Sequence, residues 1–239
     1  MKRILILLTG YSIAMALLEA AVVVYMRQLY YPQNPLKLFP LRFLQDYDPI
    51  LELSREVATV VMILTVALLA ERKTLTRSFA AFVYLFGVWD LFYYVWLKAL
   101  IDWPRTWLEW DVLFLIPMVW LGPWICPAII SLLFIFWGGW VLASSCESTP
   151  RKSTPRDVRF TGRSLFVFSL GAALGLLSFM QPVLSQGALL ENGSKALASY
   201  MPGEFWWWLY GISYVLMTGG LVMTTRNQHQ ETTDQSCKV

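Results

Sequence analysis

Residues 51–70 read LELSREVATVVMILTVALLA, and this stretch decides the class of fold. Its last fourteen positions hold no charged side chain. About 20 mainly apolar residues are enough for an α-helix to cross a hydrocarbon core of about 30 Å. Asp48 and Pro49 are typical of a helix N-cap and of the first helical position, so the sequence predicts a membrane span near 49–70.

The whole chain has the composition of a membrane protein. Of its 239 residues, 57% are hydrophobic and 15% are charged, whereas a soluble domain carries about 25% charged residues. The sequence predicts an all-α, polytopic integral membrane protein, a bundle of six transmembrane helices. The predicted spans are 4–26, 49–70, 79–100, 112–142, 164–184 and 205–225. They form a single domain over residues 1–226, followed by a disordered cytoplasmic tail, 227–239.

Three of these spans carry further signals. The fourth is longer than a crossing needs and contains three prolines, which predict that it is kinked or broken: Pro117, Pro123 and Pro127. The first is too long for the apolar region of a signal peptide, so we interpret it as an uncleaved signal anchor. In the fifth, Gly171 and Gly175 form a small-residue pair suited to close contact with another helix.

Lysine and arginine counts indicate the orientation, because the cytoplasmic loops of membrane proteins carry an excess of both. With a cytoplasmic N-terminus, the inner segments hold twelve of these residues and the outer segments hold six. Both termini are therefore predicted to be cytoplasmic, in a plasma membrane such as the bacterial inner membrane. The outer loop 27–48 is apolar enough to lie on the membrane surface, whereas the inner loop 143–163 is basic and suited to anionic lipid.

Charged residues occur inside the predicted spans, and all of them fall in the outer half of the bilayer. Glu52, Arg55 and Glu56 lie on one face of span two, because residues three and four apart share a helix face. Glu19 belongs to span one, and Asp90 belongs to span three. A charge near the bilayer centre costs at least about 2.5–3.5 kcal/mol, so Glu19 and Asp90 should turn inward and meet the charged face of span two.

Lys98 lies two turns beyond Asp90 on a similar face, and Tyr94 is one turn from Asp90, within reach of a hydrogen bond. Four carboxyl groups against two cations leave excess negative charge, so one carboxyl should be protonated or a cation should be bound. The alternative is that the same charges only tie three helices together. The predicted site for a proton, a cation or a small solute comprises Glu19, Glu52, Arg55, Glu56, Asp90, Tyr94 and Lys98.

Several classes of function are disfavoured by composition. The chain has one histidine and three widely spaced cysteines, so no metal ligand set and no cofactor is predicted. A net charge of +3 without a basic block gives no sign of nucleic-acid binding. No Walker, nucleophile-elbow, zinc-protease or dinucleotide motif is present.

Three hypotheses for function remain, and the lipid bilayer is a partner in all of them. The first is proton- or cation-linked transport of a small solute through the charged cluster. The second is a non-catalytic subunit of a larger membrane complex, with other membrane subunits as partners. The third, and least favoured, is an embedded enzyme acting on a lipid-linked substrate, because no convincing nucleophile is present.

Overall fold

The computed structural model describes residues 2–36, 38–39, 48–116, 118–144, 158–185 and 203–236. The described residues are mostly helical. They form α1 (Lys2–Tyr30), α2 (Asp48–Ala70), α3 (Leu75–Ile101), α4 (Ile125–Ala143), α5 (Gly162–Leu184) and α6 (Trp207–Ser236). Five of these helices, α1 to α5, are long and apolar enough to cross a membrane. A crossing by α6, and with it the count of six spans, stays a prediction.

An antiparallel hairpin lies between α3 and α4, formed by β1 (Trp110–Phe114) and β2 (Trp120–Pro123). The prediction of one helical span over 112–142 is therefore wrong for the described residues before Ile125, where α4 begins. Proline donates no amide hydrogen and favours an extended residue before it, so prolines 117 and 123 disfavour helix here. Pro127 lies in the first turn of α4, where its missing amide breaks no helical hydrogen bond.

Local capping explains where two helices begin. Thr74 accepts a hydrogen bond from the amide of Arg77 and starts α3 after a short turn. Thr161 and Ser164 bond each other's backbone amides in a capping box at the start of α5. Each cap satisfies amides that the first helical turn leaves without partners, which fixes the start of the helix.

α3 is the centre of the bundle, because α1, α2 and α4 all pack against it, while α5 packs against α6. Small residues allow both close approaches. A Cβ at Gly138 of α4 would lie 2.6 Å from the carbonyl oxygen of Ala80 in α3. A Cβ at Gly171 of α5 would lie 2.6 Å from the amide nitrogen of Met217 in α6. The predicted role of the Gly171–Gly175 pair in helix contact is confirmed.

Two further boundaries differ from those predicted from the sequence. α1 continues to Tyr30, so Arg27 belongs to the helix and not to the outer loop. α6 continues to Ser236 and so includes most of the segment 227–239 for which composition predicts disorder. No glycine or proline follows Gly220 to end that helix. Most of the loop predictions, over 40–47 and 145–157, lie outside the described residues.

Candidate functional site

The hairpin lies at the end of the bundle that the sequence assigns to the outer side. Its register pairs Trp110 with Pro123 and Asp111 with Gly122. On the side of α5, the ring of Trp120 stacks on Phe179 with centroids 6.2 Å apart. A Cβ at Gly122 would lie 3.1 Å from the Phe179 ring, so glycine lets β2 lie close to α5. The hairpin thus joins the α5–α6 pair to the rest of the bundle.

A buried ion pair holds the hairpin to α1. Nη2 of Arg27 lies 3.2 Å from Oδ1 of Asp111, and both side chains are only 3% exposed. The Arg27 guanidinium also lies 4.1 Å from the centroid of the Trp103 ring, a cation–π contact. The sequence prediction missed this pair, because it placed Arg27 in the outer loop and Asp111 in an interfacial segment.

Burial raises the pKa of Asp111 from 3.8 to about 6, although the Arg27 guanidinium and the amide of Val112 both act in the opposite direction. Glu109 contributes to the rise as a neighbouring negative charge. Desolvation penalises the charged form of a carboxyl group, and one guanidinium with a single contact does not fully offset that penalty. The ion pair therefore adds little net free energy to the stability of the fold, and its main effect is to fix the position of β1 against α1.

A second carboxylate holds the tip of the hairpin to α2. Oε2 of Glu56 accepts a hydrogen bond of 2.8 Å from the amide of Leu115, just after β1. Glu56 is 7% exposed. The Leu115 amide follows the last residue of β1, beyond the irregularity in strand pairing between Val112 and Phe114. A partly buried amide outside the strand pairing needs such an acceptor, so Glu56 holds the hairpin to α2 rather than joining Glu52 and Arg55 in a pocket.

The other charges of span two form a three-residue cluster with α1, as the sequence predicts. The Arg55 guanidinium contacts Glu19 of α1 through Nη1 and bonds Oε2 of Glu52 at 2.7 Å through Nη2. Thr59 donates a second hydrogen bond to Glu19, at 3.3 Å. Glu19 thus lies against the charged face of α2, where the sequence places it. Each carboxylate is satisfied inside this cluster, which joins α1 to α2.

Lys98 and Tyr94 do not take the positions that the sequence predicts. Nζ of Lys98 lies 2.7 Å from Oδ1 of Asp102 and bonds the carbonyl of Pro104, at the exposed end of α3. Lys98 is therefore outside the charged cluster, because α3 ends at Asp102 and offers a nearer carboxylate. The Tyr94 ring packs between Trp103 and Trp124.

Asp90 also lies apart from the charged face of α2. Its Oδ2 accepts a hydrogen bond of 2.7 Å from the hydroxyl of Ser131 in α4. The Asp90 side chain lines a cavity of about 210 Å³, here called the Asp90 cavity, between α3, α4, α5, α6 and the hairpin. Aromatic rings make up much of its wall: Phe86, Trp89, Phe114, Trp120, Phe134 and Phe179. Among the described residues that line it, Asp90 is the one with an ionisable side chain.

The carboxyl groups of this half of the bundle outnumber its buried cations. Arg27 and Arg55 are the cations, and each already contacts at least one carboxylate. The carboxyl groups are Glu19, Glu52, Glu56, Asp90 and Asp111. The hydrogen bonds described for Glu56 and Asp90 come from neutral donors. In the described part of the chain, no group of three or more His, Cys, Asp or Glu side chains is arranged to hold a metal ion.

Five apolar helices of spanning length, with a hairpin across one end, define a polytopic integral membrane protein. Comparisons with known proteins gave no matching family model, no matching curated protein and no matching solved structure. The features of the structure that bear on function are the Asp90 cavity and the charges around it.

Proposed function

We propose that this protein carries a small, mainly apolar solute across the membrane, and that the solute binds in the Asp90 cavity. The observation that supports this proposal is a largely aromatic cavity with one carboxyl group in its wall, formed by four helices and the hairpin. Binding sites for small molecules are typically apolar concavities with a few polar groups that fix orientation. The volume of about 210 Å³ suits a solute of one ring with a short chain, since an apolar cavity of about 150 Å³ accepts benzene.

Binding is tested with labelled 2-phenylethanol, a neutral one-ring probe, by equilibrium dialysis against the protein in phosphatidylcholine nanodiscs. Empty nanodiscs measure partition into lipid, which is subtracted. Saturable binding is expected for the unaltered protein. The substitution Ala172→Leu adds three carbons at the cavity wall and should weaken binding at least tenfold. Ala173→Leu, at the exposed neighbouring position of the same helix, is the matched control and should bind normally.

Transport is tested with phenyltrimethylammonium, whose permanent charge keeps it from crossing lipid unaided. Liposomes that contain the protein should take up this probe faster than empty liposomes. Ala172→Leu should remove the difference, and Ala173→Leu should keep it. Absence of saturable binding, or equal binding by the two variants, would overturn the proposal. Saturable binding of phenyltrimethylammonium without faster uptake of this same probe would overturn transport and would favour the role of a subunit in a larger complex.

A further inference from the structure

We infer that the solute of the Asp90 cavity is a small organic cation, an amine or a quaternary ammonium, and this inference rests on the function proposed above. The cavity offers two kinds of group that recognise such a cation. The first is the set of six aromatic side chains that line it. An aromatic ring attracts a cation that lies over its face within about 6 Å of its centroid, and most strongly where water is excluded.

The second group is the Asp90 carboxyl, which is held by a neutral partner. The hydrogen bond described for it comes from the Ser131 hydroxyl. The arginines of the same half of the bundle are the buried Arg27 and the partly buried Arg55, and they are engaged by Asp111 and by the Glu19–Glu52 pair. A cationic ligand beside Asp90 would supply the counter-charge that the described residues do not place there. An anionic ligand would add to the existing excess of carboxyl groups and would be repelled.

The chain itself holds a buried cation by this same combination of groups. Arg27 lies 4.1 Å from the Trp103 ring centroid and 3.2 Å from an oxygen of Asp111, at 3% exposure. In the Asp90 cavity a carboxyl and several aromatic rings are also brought together, but no side-chain cation of the described residues lines the cavity. A soluble amine bound in the Asp90 cavity would lie between a carboxyl and aromatic rings, as the Arg27 guanidinium lies between Asp111 and Trp103.

The inference is tested by comparing three one-ring probes that differ in charge: 2-phenylethylammonium, 2-phenylethanol and phenylacetate. Binding is measured at pH 7 by dialysis against protein in phosphatidylcholine nanodiscs, whose zwitterionic lipid limits attraction of ions to the surface. The ammonium probe should bind the unaltered protein at least tenfold tighter than the alcohol, and phenylacetate should bind weakest. Asp90→Asn should reduce the preference for the ammonium over the alcohol to less than threefold. Asp102→Asn, the same change at an exposed carboxyl, should leave the preference intact.

The outcomes separate this inference from the proposed function. Saturable binding of all three probes with equal affinity, or tightest binding of phenylacetate, would overturn the cation while leaving a solute-binding cavity. No saturable binding of any probe would overturn both. The comparison of probes on the unaltered protein decides the matter even when Asp90→Asn does not fold.

Discussion

Replacing Arg27 by methionine should destabilise the hairpin, and the loss should depend on pH. Arg27 is 3% exposed and is the described cationic partner of Asp111. Methionine keeps most of the apolar stem but leaves the Asp111 carboxyl without a counter-charge. Removing one partner of a buried ion pair costs about 3–5 kcal/mol, because the remaining charge is uncompensated. The cation–π contact with Trp103 is lost as well.

The pH dependence follows from the pKa of Asp111, which burial raises from 3.8 to about 6. The folded protein holds this proton more tightly than the unfolded chain, so the contribution of Asp111 to stability is fully present below pH 3.8. Between pH 3.8 and about 6, the free energy of unfolding contributed by Asp111 falls by about 1.4 kcal/mol per pH unit. Above pH 6 this contribution no longer changes with pH. Without Arg27 the pKa of Asp111 rises further, so the stability of the variant continues to fall above pH 6. The gap between variant and unaltered protein should therefore widen between pH 6 and 8.

Hydrogen exchange of the hairpin amides, in nanodiscs from pH 5 to 8.5 and corrected for intrinsic rates, measures this gap. Arg105→Met is the control, because Arg105 is 57% exposed and pairs with an exposed carboxylate. A further Asp111→Asn change in the Arg27→Met protein removes the uncompensated charge and should restore most of the protection. A loss below about 1 kcal/mol, or one that does not change with pH, would refute the reasoning.

Three further predictions concern other contacts of the bundle. Glu56→Ala removes the acceptor of the Leu115 amide, so hydrogen exchange of this amide should become faster, by a factor that corresponds to about 1–3 kcal/mol. Glu56→Gln keeps an acceptor oxygen, so the Leu115 amide should exchange more slowly in this variant than in Glu56→Ala; equal rates in the two variants would contradict the prediction. Arg55→Met should lower the thermal midpoint more than Arg55→Lys, which keeps a positive charge between the two carboxylates, and the reverse order would count against the cluster. Gly138→Ala should lower the thermal midpoint, since the added Cβ would lie 2.6 Å from a carbonyl oxygen of α3. Gly10→Ala is the control: a Cβ there would have no other atom within 4 Å, so the thermal midpoint should stay unchanged or rise slightly.

The helices that carry apolar runs could be predicted from the sequence to within a few residues. Span two, predicted over 49–70, is α2 over Asp48–Ala70, because the apolar run and the Asp48–Pro49 dipeptide mark its start in the sequence. The hairpin could not be predicted in the same way. Residues 112–124 are as apolar as a membrane helix, and apolar composition alone does not separate a buried strand from a buried helix. Gly122 and the prolines at 117 and 123 were the available signals for a non-helical segment.

The site was predicted in part, for a related reason. Glu19 and Asp90 were both expected to turn away from lipid and meet the charged face of span two; Glu19 contacts Arg55 there, whereas Asp90 bonds Ser131 of α4. The Arg27–Asp111 pair was missed because each residue was placed just outside a predicted span, at the membrane interface, so neither was expected to need a buried partner. Predicting it requires the hairpin, which carries Asp111 back over the end of α1. An ion pair can therefore be predicted from the sequence only where the helices or strands that carry both charged residues are also predicted.

The buried charges explain both the architecture and the candidate site. Arg55 joins α1 to α2, Arg27 joins α1 to β1, and Glu56 joins α2 to the hairpin tip. Each contact gives a buried group a partner from another element, and together they fix the hairpin over the bundle. Asp90 is different, because a neutral hydroxyl bonds it and a cavity lies beside it. A carboxyl used only to join helices would be expected to face a cation or an amide, so its position at an aromatic cavity is better explained by a ligand that supplies the missing charge.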